Sequence, residues 1–194
     1  VENIFDNQLN QIKHNKDFEI EQFFPELVIK CYSLQSLQKL YVLKNIFCNE
    51  QLSEPVFNFF HLVITSLLRI VSSAATGWPY VAPKKIKVAA AEKDVLLEFI
   101  KLSYQMLKDI QTIKLNSAKN YDVSIHKLFN ADSRDTTMFI DSESIDHIFT
   151  SPPYLNNFDY ADRTRLELYF WGDALNWKNI SDNFRSKLIT STTT

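Results

Sequence analysis

The chain has 194 residues, 45% of them apolar and 23% charged, with a formal net charge of −2. These values fit a folded chain of one domain, or one domain with an appendage, and argue against intrinsic disorder. The near-neutral balance gives no overall cationic signal for nucleic acid, although a local basic patch is compatible with it. Only two glycines occur, Gly77 and Gly172, where average usage gives roughly fourteen. That excludes a glycine-rich dinucleotide fingerprint or a P-loop from these residues.

Cys31 and Cys48 form no CxxC pair and no disulfide framework. The expectation is a reduced, cytoplasmic protein. No signal-peptide pattern is present, and Val56–Val71, interrupted by Asn58, His61 and Arg69, reads as too short and too polar for a bilayer span. The histidines show no metal-ligand spacing with each other or with the cysteines, so no metal is assigned. The first residue is Val and the last four are Ser191-Thr192-Thr193-Thr194, so either end is compatible with a cut.

In chain order, residues 1–118 read as a helical region. Leu34, Leu37, Leu40, Tyr41 and Phe47 recur at helical spacing behind Ser33, a suitable N-cap. Ser53 and Glu54-Pro55 then open a second helix, with proline in the first turn where its missing N–H is no loss. Val56–Val71 is apolar nearly all round, as in a central buried helix, and His61 reads as a core histidine. Residues 72–91 contain Gly77-Trp78-Pro79-Tyr80 and Lys84, Lys85 and Lys87. They read as a long loop, either a solvated connector or a basic, aromatic-bearing surface for a polyanion. A third helix covers about Lys93–Leu115, with Leu96, Phe99, Ile100, Leu107 and Ile110 on one face.

The pattern changes in residues 119–194. Val123–Phe129 and Ser144–Thr150 read as short strands, with a polar turn, Asn130–Asp135, after the first. Their spacing suits two parallel strands. Residues 162–171 and 177–189 read as helices. The second strand runs into Ser151-Pro152-Pro153-Tyr154. Two prolines cannot continue a ladder, and each excludes its predecessor from the helical region. The result is a stiff turn that offers oxygen acceptors, the Ser151 hydroxyl and the carbonyls around Pro152 and Pro153. An exocyclic amino group of a nucleobase is a poor nucleophile because its lone pair is delocalised into the ring. Acceptors that hold its N–H groups favour a tetrahedral nitrogen and free that lone pair. Tyr154 offers a face on which an extruded base can stack.

Thr150–Tyr154 resembles motif IV of amino-group DNA methyltransferases, and the serine form looks most like the cytosine-N4 enzymes. Phe129–Arg134 is similar to the turn after the family's third strand, and Leu155–Glu167 to the stretch after motif IV in a bacterial subgroup with a helical insertion. The resemblance implies an α/β fold. It would be a partial Rossmann-like methyltransferase sheet of at least two parallel strands with a large N-terminal helical insertion, predominantly α by residue count. It implies S-adenosylmethionine as cofactor, with Asp132 and Ser133 at its adenine end, and double-stranded DNA with a flipped target base as partner. The catalytic residues implied are Ser151, Pro152, Pro153 and Tyr154, and the nucleic-acid contacts Lys84, Lys85, Lys87, Arg163 and Arg165. The family's Gly-rich motif I has no counterpart here, so the expectation is a methyltransferase piece of restriction–modification type, with weak or absent cofactor binding and no turnover by itself.

Plainer readings stand beside these. Asp132 suits a turn or a helix cap. Asp159 and Tyr160 suit a cap and staple for the next helix. Arg163 and Arg165, near Asp162 and Glu167, suit a salt-bridged helix face. Two alternative functions are a non-catalytic helical module that contacts DNA or protein, and methylation of RNA.

Overall fold

The computed structural model describes residues 2–15, 18–75, 82–86, 93–117, 126–129, 131–150 and 159–188. The first helix, α1 (Glu2–His14), buries Phe5 and Leu9, one helical turn apart, and packs against α3. A 3-10 turn (Ile20–Phe23) and a one-turn helix, α2 (Glu26–Ile29), follow, with Pro25 at the N-cap of α2. Helix α3 (Leu34–Asn49) starts where expected: the Ser33 hydroxyl accepts from the Ser36 N–H at 3.1 Å. Its buried stripe is Leu37, Leu40, Leu43, Ile46 and Phe47, a 3.6-residue pattern.

Helix α4 (Glu54–Val71) carries Pro55 in its first turn. It is less enclosed than the sequence suggests. Val63, Ile64, Leu67, Leu68 and Val71 are buried, whereas Val56 and Leu62 are exposed. By length and composition α4 would also pass as a membrane span, but its buried face lies in the helical core. Tyr32 donates to the Leu68 carbonyl at 2.9 Å. The Cys31 carbonyl accepts from the Ser72 hydroxyl at 3.1 Å and the Ser73 N–H at 3.0 Å, which fixes the exit of α4. Part of the expected loop is then paired: β1 (Ala74–Ala75) and β2 (Ala82–Ile86) form a short antiparallel pair with an irregular register.

Helix α5 (Val95–Ser117) is introduced by Asp94, whose carboxylate accepts from the Leu97 N–H at 2.8 Å and from Lys39 Nζ at 2.5 Å. Phe47, Phe60 and Phe99 bring α3, α4 and α5 together, with ring centroids 4.2–6.0 Å apart. Three short helices, α6 (Tyr160–Arg163), α7 (Arg165–Trp171) and α8 (Trp177–Asn183), and a 3-10 turn (Arg185–Lys187) close the described structure. Leu166, Phe170 and Ile180 join the same core as α2 to α5.

The expected parallel sheet is not found. The structure is helical, and among the described residues the only strand pairing is the antiparallel β1–β2 contact. Residues 127–129 and 144–150 take part in no strand pairing among the described residues. Leu128 and Ile148 are 99% and 84% exposed, and Phe149 is fully exposed. Alternating apolar residues become parallel strands only when neighbouring strands take up their backbone groups and helices cover both faces. The described residues supply neither.

Candidate functional site

Ser151, Pro152, Pro153 and Tyr154 lie outside the described residues, as does Lys87. Lys84 and Lys85 belong to β2. The described segments nearest in sequence to Ser151–Tyr154 are residues 131–150, with the Asp132 turn, and residues 159–188.

Asp132 and Ser133 sit on an exposed turn. Arg134 folds back on Asp132. Its Nε donates to the two carboxylate oxygens at 2.9 and 3.0 Å, and its backbone N–H donates to Oδ1 at 2.9 Å. The Arg134 guanidinium, helped by that N–H, holds the Asp132 carboxyl at about 2. The group is thus an ionised acceptor over the whole neutral range. The next acid repeats the device: Asp135 accepts from the Thr137 N–H and hydroxyl at 3.1 and 2.7 Å, and these bonds lower its pKa. Such local closure is the plain chemistry of a polar turn. With the Arg134 Nη2 also donating to Oδ2, the four contacts from Arg134 match the roughly four acceptor positions of the carboxylate, so another donor has to displace one of them.

From Asp159 onward the chain is held by side-chain contacts. Asp159 caps α6 by accepting from the Ala161 and Asp162 N–H groups at 3.0 and 3.2 Å, and Arg185 approaches its other oxygen at 3.3 Å. Arg69 of α4 forms a two-point pair with Glu167 of α7 (Nε–Oε1 2.5 Å, Nη2–Oε2 3.0 Å) and also donates to the Arg163 carbonyl. Arg165 lies 3.3 Å from Asp162 and over the Trp177 ring, 5.5 Å from its centroid. Burial pushes the Asp162 carboxyl up, with Arg165 opposing. The capping and salt-bridged readings of Asp159 and Arg165 are therefore realised in the fold.

Farther along, Phe170 is fully buried and stacks on Phe24 at 5.3 Å. Lys44 Nζ donates to the Phe170 carbonyl at 2.7 Å and lies 5.4–5.8 Å from the ring centroids of Phe24, Phe170 and Trp171. Trp171 donates to the Thr65 hydroxyl at 2.8 Å and stacks on His61 at 4.1 Å. Sequence reasoning missed Arg69, Lys44 and Thr65, because their partners lie about a hundred positions away. A lone Arg69 on an apolar helix was the one available signal.

A separate groove of about 560 Å³ lies beside α5, lined mainly by Phe60, Leu96, Phe99, Ile100, Tyr104 and Leu107. It is mostly apolar, its polar atoms come from Asn3, Ser103 and Tyr104, and the Ser103 hydroxyl donates to the Phe99 carbonyl at 2.8 Å. Among the described residues no three His, Cys, Asp or Glu side chains converge as metal ligands. Comparison of the chain with family models, curated proteins and solved structures gave no match.

Proposed function

We propose that this chain carries the amino-group acceptor turn of an S-adenosylmethionine-dependent DNA methyltransferase, with cytosine N4 the preferred target and adenine N6 the second. The observation that carries this reading is the run Asp146-His147-Ile148-Phe149-Thr150-Ser151-Pro152-Pro153-Tyr154 behind the Asp132 turn. The Ser151 hydroxyl and the carbonyls around the two prolines hold the N–H groups of the extruded base. Holding them favours a pyramidal nitrogen, and the proton released on methylation passes toward these acceptors. Tyr154 stacks on the base. Positioning and preorganised acceptors supply the rate gain.

The cofactor, when bound, supplies an electrophilic methyl group on a sulfonium. The fit of the residues present is partial. The ionised, exposed carboxylate of Asp132 is the acceptor type that an adenine amino group needs. The 194 residues contain no glycine-rich turn for the methionine end. On their own they bind S-adenosylmethionine weakly or not at all and do not turn over. Lys84, Lys85 and Lys87 are the phosphate contacts of this reading, joined by Arg163. Arg165 has its charge engaged by Asp162.

The test is transfer of labelled methyl groups to DNA by the protein as its gene encodes it, beside its Ser151→Ala variant. The expected result is loss of transfer by roughly 10² or more with DNA affinity unchanged. Equal activity of the two proteins overturns the role of Ser151, and methylation of RNA alone moves the substrate to RNA. A second reading, a non-catalytic helical module that contacts DNA or protein, is favoured by the helical packing of the described core. Calorimetric titration of this chain with the cofactor, with and without DNA, separates them. DNA binding without any dependence on cofactor supports the module.

A further inference from the structure

We propose that Lys44 is an acylation site of this protein, loaded from acyl thioesters through the thiol of Cys48 on the same face of α3. The two residues are one helical turn apart, so their Cβ atoms lie about 5–6 Å from each other. Side chains on a helix lean toward its N-terminus, which tilts the Cys48 thiol back over the turn that carries Lys44. Cys48 is a free, exposed cysteine, open to a small thioester from solvent. Lys44 is the buried half of the pair. Its Nζ lies 5.4–5.8 Å from the ring centroids of Phe24, Phe170 and Trp171. Burial lowers its pKa, with the charges of Cys48 and Asp173 opposing. More of the amine is therefore neutral than in a solvated lysine, and desolvation among apolar groups is one way to make a lysine nucleophilic. Lys101 offers the contrast: it is 59% exposed, pairs with Glu98 at 2.8 Å, and has Leu97 and Gln105 rather than a thiol one turn away.

The chemistry is two acyl transfers without oxidation or reduction. The Cys48 thiolate attacks the thioester carbonyl, the new Cys48 thioester forms, and the small thiol departs with a proton. The neutral Lys44 amine then attacks the same carbonyl carbon. The C–S bond to Cys48 breaks, an amide forms, and the proton lost by nitrogen goes to the departing sulfur, which restores the thiol. Attachment to one helix makes the second step intramolecular. The product changes the fold's contacts. Lys44 Nζ donates to the Phe170 carbonyl at 2.7 Å and lies 3.4 Å from that of Trp171. An acylated nitrogen keeps one N–H and no charge, so the attraction to the three rings and to the C-terminal end of α7 is lost. Acylation thereby loosens α7 from α3. None of this depends on the methyl-transfer reading.

The experiment treats the chain with a neutral thioester, S-acetyl-N-acetylcysteamine, and follows each lysine by peptide mass spectrometry, with circular dichroism to verify that every variant is folded. Acetylation of Lys44 should outpace that of Lys101 by about tenfold or more. Cys48→Ser should slow Lys44 about tenfold and leave Lys101 unchanged. Lys44→Arg keeps the positive charge and removes the nucleophile, so a hydroxylamine-labile acetyl group should accumulate on Cys48. Trp171 emission should shift to the red as Lys44 becomes acetylated in the parent and stay in place in Lys44→Arg. Equal rates at Lys44 and Lys101 overturn the proposal, as does a Lys44 rate unaffected by Cys48→Ser. A Cys48 thioester equally long-lived in the parent and in Lys44→Arg overturns the transfer step.

Discussion

Arg69 and Glu167, 98 positions apart in sequence, meet in a two-point ion pair at 2.5 and 3.0 Å. Both side chains are mostly shielded, at 21% and 14% exposure. The pair ties α4 to α7, and the same guanidinium holds the Arg163 carbonyl. Removing Arg69 leaves a carboxylate and a carbonyl without their donor. Arg69→Ala should destabilise the fold by about 2–4 kcal/mol, with Glu167→Gln milder because it keeps one acceptor. Urea unfolding of the three proteins measures this. An Arg69→Ala midpoint equal to that of the parent would show that the pair contributes nothing.

Phe170 connects the C-terminal helices to the first half of the chain through its stack on Phe24. Its side chain has no contact with solvent. Phe170→Ala should cost about 3–5 kcal/mol, the sum of lost transfer energy and a residual cavity. Phe170→Leu should recover part of it. Chemical denaturation followed by tryptophan emission from neighbouring Trp171 reports both.

Gly172 ends α7 in the left-handed region, with φ of 89°, and its N–H donates to the Leu168 carbonyl at 3.1 Å. A Cβ built there meets nothing within 4 Å. The penalty for Gly172→Ala is therefore a backbone penalty, about 1 kcal/mol. Gly172→Asn should cost less than Ala, since Asn tolerates this conformation better. Thermal melts of the two variants give the order.

His61 is half-buried against Trp171, and burial lowers its pKa despite the opposing charge of Asp173. The unfolded chain then takes up the proton first, at about 6.5. Stability from this residue is complete above that value and falls as pH drops through it toward the lower folded pKa. Between pH 7.5 and 5 the melting temperature of the parent should fall more than that of His61→Phe. Parallel curves for the two proteins would remove His61 from the pH response.

The long helices were legible because the 3.6-residue period, Ser33 and Pro55 all point the same way. The α3 cap and the start of α4 appear as expected. The expectation failed where partners decide the outcome. Residues 144–150 are a short apolar-rich run that reads as a strand, yet such a run forms a ladder only if a neighbour exists. Asp132 was legible as a turn acid but not as the partner of Arg134. Ser151-Pro152-Pro153-Tyr154 was read from its chemistry alone, as stiffness and acceptors, and lies outside the described residues. Lys44, whose partners are the Phe24 ring and the Phe170 and Trp171 rings and Phe170 carbonyl of α7, carries no local signal at all.

The Phe24–Phe170 stack has a consequence for biogenesis. A ribosome delivers residue 24 long before residue 170, so the nascent helices must wait with one side of their core uncovered until most of the described chain has emerged. Synthesis paused in that interval would present sticky, half-finished intermediates, and these are the species a chaperone would have to shelter.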